Sequence, residues 1–240
     1  MPNIRGIFSL KEAFKFKFSN QWVPLDEVWI VPSPSSPNTG YFGGGVPATS
    51  IMDKVTYSTD TTAAAPGANL SLARLALAAT GNGTNGYFGG GNPGPKSTMD
   101  KVTYSTDTTA AVPGADLSLA RFGVAATGNS TNGYFGGGGP GGVSTMDKVT
   151  YSTDTTAAVP GADLSVARSA HAATGNSTNG YFGGGDPSPL ATMDKVTYST
   201  DTTGALPSGA DLSVARYAIA ASSARANGLP VTSSPAPVYL

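Results

Sequence analysis

Apolar and polar positions alternate along this chain in short runs that indicate β-strands. In residues 121–138, a small apolar run (residues 122–126) precedes a polar turn rich in Asn, Gly, Ser and Thr. A second apolar run follows and ends in three glycines. This pattern predicts a hairpin whose first strand, residues 122–126, is covered on both faces, and whose glycines end the second strand.

The stretch that follows the glycines predicts further strands of the same sheet. In MDKVTYSTDTT, Asp147, Val149 and Tyr151 share one face, and the turn-forming STDTT ends the strand. The next residues, AAVPGADLS, predict a Pro-Gly turn beside a short outer strand, because an edge strand tolerates proline. Each unit therefore contains three or four strands, and no helix is predicted.

This unit is written four times. GYFGGG begins at residues 40, 86, 133 and 180, MDKVTYSTDTT begins at 52, 99, 146 and 193, and LSLAR or LSVAR ends at Arg74, Arg121, Arg168 and Arg216. A period of this length is typical of solenoids and propellers, whose units cannot bury their apolar surface alone.

The order of these elements resembles the kelch motif over residues 39–228: Arg with small apolar residues, a hairpin, an aromatic strand ending in glycine, a variable loop and an Asp-x-Val-x-Tyr strand. The resemblance implies four-stranded antiparallel blades around an axis. Two features depart from kelch proteins, which usually have a tryptophan in the outer strand and six or seven blades.

The ends of the array are complementary in sequence. The first unit starts at its glycine-ended strand, and the last ends with an Arg strand, so pairing the two would remove exposed sheet edges. We therefore predict an all-β, kelch-like β-propeller of four repeats, closed by pairing of its N- and C-terminal strands. An open array, or one completed by an oligomer, is the alternative.

The segments outside the array differ in composition. We divide the chain into an N-terminal docking segment (1–32), a linker (33–38), the four-repeat propeller (39–228) and a C-terminal tail (229–240). The docking segment is not a repeat and contains aromatic residues that we predict bind a larger partner. An equally open interpretation is that it caps one face of the propeller. The candidate docking residues are Phe14, Phe16, Phe18, Trp22 and Trp29.

Composition excludes several function classes. Charged residues make up 12% and the net charge is −1, so we expect neither nucleic-acid binding nor membrane insertion. There is no cysteine, which excludes disulfides and thiolate metal sites. Neither an 18-residue apolar span nor a Sec-type signal is recognisable. An extracellular protein of this kind is expected to leave the cell by lysis or through a dedicated secretion machine.

Candidate chemical groups are few, and we predict no catalytic, cofactor-binding or metal-binding residue. The single histidine, His171, is interpreted as a strand residue at a somewhat exposed position. The recurring aspartates could ring a cation, but a turn or pairing role is favoured. The recurring arginines are interpreted as bonding carbonyls or the MDKV aspartates between blades. The glycine triplets lack the residues that phosphate-binding loops require.

The loops after the glycine triplets vary while their flanks repeat, which is where recognition can be built on a fixed scaffold. Neutral drift would produce the same variation. The candidate binding rim comprises Pro47, Thr49, Asn92, Lys96, Gly139, Val143, Asp186 and Leu190.

The repeat units are also similar to those of structural proteins of marine and cyanobacterial phages. This resemblance implies a non-enzymatic virion protein, such as a tail or fibre appendage or a capsid decoration subunit, that contacts other virion proteins through residues 1–32. The alternative is a cytoplasmic or extracellular propeller that binds a glycan or a protein, including one on a host surface. Hydrolytic activity is the weakest hypothesis, and homo-oligomer formation stays open.

Overall fold

A computed structural model describes residues 38–223, which form four antiparallel β-sheets in sequence order. The candidate docking segment, nearly all of the linker and the C-terminal tail lie outside the described residues. The first sheet contains β1 (Thr39–Gly43), β2 (Met52–Thr56) and β3 (Thr61–Ala64). The second contains β4 (Ala78–Gly81), β5 (Asn85–Gly89), β6 (Met99–Thr103) and β7 (Thr108–Ala111). The third contains β8 (Ala125–Gly128), β9 (Asn132–Gly136), β10 (Met146–Thr150) and β11 (Thr155–Ala158), and the fourth β12 (Ala172–Gly175), β13 (Asn179–Gly183), β14 (Met193–Thr197) and β15 (Thr202–Ala205).

Each sheet is a meander in which strands adjacent in sequence pair with one another. In the third sheet, Tyr134 pairs with Lys148 and Phe135 with Asp147. The predictions of four-stranded antiparallel units and of no α-helix are confirmed for the second, third and fourth sheets. The helical elements among residues 38–223 are single 3-10 turns, such as Pro160–Ala162.

Strand boundaries differ from the prediction at both edges of a sheet. The first strand covers Ala125–Gly128, not residues 122–126. Gly123 has a left-handed φ of 65°, and its N–H bonds the carbonyl of Ala76 in the preceding sheet. The backbone before β8 is therefore hydrogen-bonded to a neighbouring repeat and does not pair as part of the strand. The outer strand, Thr155–Ala158, lies before the Pro-Gly pair, which forms a 3-10 turn.

Turn chemistry explains where the remaining strands end. Gly137 and Gly138 follow β9 with φ of 65° and 94°, which L-residues with a Cβ rarely adopt. Asp154 has φ of 52° in the turn before β11, as the aspartate-rich STDTT predicts. In the β8–β9 hairpin, the side chain of Asn129 accepts bonds from the backbone N–H groups of Thr131 and Asn132.

The hydrophobic core lies between neighbouring sheets. The first strands of consecutive sheets pack side by side, β4 against β8 and β8 against β12. One cluster combines Tyr87 and Met99 of the second sheet with Phe135, Val149 and Tyr151 of the third. Each sheet thus covers the apolar face of its neighbour, as expected for repeat units that cannot bury that surface alone. The arrangement is consistent with a propeller-like repeat fold.

The predicted closing strand pair is not formed among the described residues. β1 pairs with β2 alone, so the first sheet has three strands, and residues 219–223 belong to no strand. The residues before 219 instead contact segments that flank the strands of the fourth sheet. Arg216 forms a backbone bridge with Leu190, and the Ala218 N–H bonds the Ala170 carbonyl.

Candidate functional site

Four variable loops lie at the same edge of their sheets, because each follows the glycine-ended strand and precedes the MDKVT strand. Their tips are exposed at Pro47, Pro93 to Pro95, Pro140 to Gly141 and Pro187 to Pro189. We call these tips the rim tips. They are rich in proline, which restricts φ, and in glycine, which permits positive φ. Their backbone conformation is therefore determined by their own residues.

Most of the predicted rim residues join parts of the fold. Thr49, Lys96, Val143 and Leu190 form backbone bridges to Arg74, Arg121, Arg168 and Arg216, respectively. Through these bridges, each loop is tied to the segment that leads into the next sheet.

The other predicted rim residues divide between fold contacts and the exposed tips. Asn92 exchanges backbone bonds with Leu75, and Asp186 bonds both the backbone and the hydroxyl of Ser169. Gly139 is buried and donates to the Phe122 carbonyl. Of the eight predicted residues, Pro47 alone lies on a rim tip. In two of the loops the exposed prolines have a Pro-x-Pro spacing that is visible in the sequence.

The recurring arginines are buried and form ion pairs with the MDKV aspartates. The distance between Arg Nη2 and Asp Oδ2 is 2.5 Å for Arg74–Asp100 and 2.7 Å for Arg121–Asp147. It is 3.1 Å for Arg168–Asp194, and all six side chains are fully buried. The structural interpretation of these residues is confirmed, with the difference that each pair lies within one repeat sheet and not between sheets.

Backbone carbonyl groups also bind the arginines. Arg121 donates to the Thr145 carbonyl at 3.0 Å and to the Phe135 carbonyl at 3.1 Å. Burial lowers the pKa of Arg121, and the charge of Asp147 opposes this change. The guanidinium therefore ties the segment before β8 to strands β9 and β10, and its charge is matched by Asp147.

A second set of charged contacts joins each sheet to the next. Lys101 binds Asp154 at 2.5 Å, and the Tyr87 hydroxyl donates to the same carboxylate at 2.5 Å. Burial and the bond to Asp154 raise the pKa of Tyr87, so the phenol stays protonated and donates. Lys148 and Tyr134 repeat these contacts on Asp201.

His171 lies immediately before β12 and is 6% exposed, so the predicted exposed strand position is wrong. Neither ring nitrogen has a hydrogen-bond partner. Burial, together with the charges of Arg168 and Arg121, lowers the pKa of His171 to about 3. The side chain is therefore neutral at physiological pH. It occupies the repeat position of Leu77 and Val124, which explains why its surroundings offer no polar partner.

We expect His171→Leu to stabilise the protein. Leu77 contacts Gly44 as His171 contacts Gly137, so leucine fits this site. Removing an unpartnered buried donor should raise the free energy of unfolding by about 1–3 kcal/mol at pH 7.5. In the wild type the unfolded chain binds a proton below the ordinary pKa of 6.5, whereas the folded chain does not until pH approaches 3. Stability therefore falls as pH falls through this window.

Urea unfolding of both proteins at several pH values between 7.5 and 4.5 measures this effect. Below pH 6.5 the advantage of His171→Leu should grow by about 1.4 kcal/mol per pH unit, and the titration of other groups cancels in the difference. A difference that does not change with pH would show that His171 is protonated equally in both states.

The described residues contain no group of three or more His, Cys, Asp or Glu side chains placed to hold a metal ion. No helix in this same part of the chain is long and apolar enough to cross a membrane. No protein-family model matches the chain, and no curated protein is similar to it at a significant level.

Proposed function

We propose that this chain is a non-enzymatic structural protein of a virion, either a tail or fibre appendage or a capsid decoration subunit. In this proposal, residues 1–32 dock onto other virion proteins, and the repeats form a kelch-like propeller head. The strand that the first sheet lacks is supplied by a C-terminal repeat segment, either of the same chain or of a second copy. We therefore propose that the protein is located in the virion.

One observation carries this proposal: the recurring charged side chains of the internal repeats bind one another. The arginines bind the MDKV aspartates, and the lysines bind the turn aspartates of the next sheet. Polar groups used in this way build a rigid scaffold and leave no repeated set of acids, bases or nucleophiles for catalysis. The virion setting is proposed only from the resemblance of the repeat unit described in the sequence analysis.

Gradient sedimentation of native source material, with mass spectrometry of each fraction, tests the proposal. We expect the chain in the fractions that contain particles of megadalton size. Substitution of the candidate docking residues Phe14, Phe16, Phe18, Trp22 and Trp29 by serine should abolish incorporation and leave the circular dichroism spectrum of the repeats unchanged. A matched variant with the rim-tip prolines replaced by serine should still incorporate.

A chain that sediments near its own 24.0 kDa, or a small multiple of it, would contradict the virion proposal. The exposed rim tips would then favour the second candidate function, recognition of a glycan or a protein. In that case, the rim-tip variant should lose binding to a glycan array or to cells, whereas the docking variant should keep it.

A further inference from the structure

Three internal interfaces join the four sheets, and they repeat the same contacts. The Lys–Asp distances across them are 2.8, 2.5 and 2.7 Å. A tyrosine of one sheet stacks on a tyrosine of the next at centroid distances of 5.4, 4.8 and 4.8 Å. A threonine hydroxyl meets the second tyrosine at two of the interfaces, Thr80 with Tyr151 and Thr127 with Tyr198. Repetition of the sequence thus reproduces one interface geometry.

The first sheet presents one half of this interface, and no other part of residues 38–223 covers it. We call this half the leading face, and it consists of the β1 edge, Phe42, Asp53, Tyr57 and Asp60. Phe42 is 68% exposed, whereas its repeat equivalents, Phe88 and Phe135, are 6% and 0% exposed. Tyr57 is 57% exposed, against 6% for Tyr151. The leading face therefore exposes side chains whose equivalents in later sheets are buried or half-buried.

The other end of the array presents the opposite half, which we call the trailing face. It consists of Thr174, Tyr181, Lys195, Arg216 and residues 220–222. The Thr174 hydroxyl is buried and has no hydrogen-bond partner in the described part of the chain, unlike Thr80 and Thr127. Arg216 is exposed, unlike the three buried arginines of the internal sheets. Residues 220 and 221 repeat the Ala-Ala that begins β4, β8 and β12.

The two faces complement each other group by group. By the repeat pattern, Arg216 corresponds to the partner of Asp53, Lys195 and Tyr181 to the partners of Asp60, and Thr174 to the partner of Tyr57. The cations lie on the trailing face and the carboxylates on the leading face, so the charges attract. Residues 220–222 correspond to the strand that β1 lacks.

We propose that the trailing face of one copy binds the leading face of a second copy, head to tail, with residues 220–222 added as a strand to β1. Strand addition satisfies the open edge of β1 with backbone bonds, and the side-chain pairs fix its register. A heterologous interface of this kind closes into a ring or continues as a filament, depending on the rotation between copies.

A second copy fits these faces better than the same chain does. Buried side chains pack at three equivalent interfaces, and this packing fixes the orientation of each sheet relative to the next. Within residues 38–223, the leading and trailing faces of one chain make none of the contacts named above. Closure within one chain would have to change the packing at all three interfaces, and close-packed interiors resist such a change. Docking a second copy leaves them unchanged.

The mass of the purified full-length chain in solution tests this proposal. Light scattering over a concentration series should give multiples of 24.0 kDa. Arg216→Glu and Asp53→Lys should each reduce the mass to that of a single chain. Lys96→Glu is the matched control, because Lys96 lies away from both faces, and it should leave the mass unchanged. Far-ultraviolet circular dichroism checks that every variant is folded.

A mixture of the two variants provides the sharper measurement. Closure within a single chain predicts that the unmutated chain has the mass of one chain. In the mixture, Arg216→Glu keeps an intact leading face and Asp53→Lys keeps an intact trailing face, so these two faces should pair. At the other contact both charges are reversed and still attract, so the mixture should give at least twice the mass of one chain. A mixture that stays monomeric would therefore overturn the proposal.

A disulfide trap gives the same distinction without altering any charge. The chain has no cysteine, and Phe42 and Ala221 are exposed and correspond to the paired Phe88 and Ala79. Oxidised Phe42→Cys/Ala221→Cys should migrate as dimers and larger species on a non-reducing gel, and either single variant should give no ladder. A disulfide formed within one chain would overturn the proposal.

Discussion

Asp147→Asn should lower the free energy of unfolding by about 3–5 kcal/mol, because it leaves the Arg121 guanidinium buried without a counter-charge. Both side chains are fully buried, and their atoms lie 2.7 Å apart. The asparagine has nearly the same shape, so little of the loss arises from packing. A domain of this size has a total stability of about 5–15 kcal/mol, so the variant should be close to unfolding. Urea unfolding followed by circular dichroism measures the change.

The first sheet supplies a matched control for this prediction. Asp53 occupies the same repeat position as Asp147, but no arginine among residues 38–223 binds it. Asp53→Asn should therefore change the stability by less than about 0.5 kcal/mol. Both variants are compared in an Arg216→Glu background, which prevents association through the proposed interface. Equal losses for the two variants would show that the ion pair does not stabilise the fold.

The strands in the middle of each sheet could be predicted from the sequence alone. The alternation in MDKVT and the glycines after Tyr134 and Phe135 are local signals, and the strands Met146–Thr150 and Asn132–Gly136 form where those signals place them. Local pattern is sufficient there because both neighbouring strands come from the same repeat.

Elements whose partners belong to another sheet could not be placed in this way. Strand β8 begins three residues later than predicted, because the backbone of Gly123 bonds Ala76 of the preceding sheet. The burial of His171 and the bridging role of Lys96 likewise depend on neighbouring sheets. A repeat period shows that units stack, but it does not show which residues the stacking covers. Most of the candidate rim residues therefore make contacts within the fold that the sequence did not indicate.

Phe135→Ala should cost about 3–5 kcal/mol, the range for removing a fully buried phenylalanine. Phe135 is 0% exposed and belongs to the cluster that joins the second and third sheets. Its ring lies close to Gly89, where an added Cβ would be 3.0 Å from a ring carbon. The neighbouring backbone therefore cannot easily fill the cavity that alanine leaves. Thermal and urea unfolding of the variant measure the loss.

The same substitution at Phe42 separates burial at the interface from the intrinsic preference of the strand. Phe42 occupies the equivalent position of β1 and is 68% exposed, so in the Arg216→Glu background Phe42→Ala should change stability by less than about 0.5 kcal/mol. In the otherwise wild-type chain, Phe42→Ala should instead weaken association, because the ring then packs between copies. If Phe42→Ala costs as much as Phe135→Ala in the Arg216→Glu background, the ring is already buried within a single chain. The leading face would then not be open to a second copy.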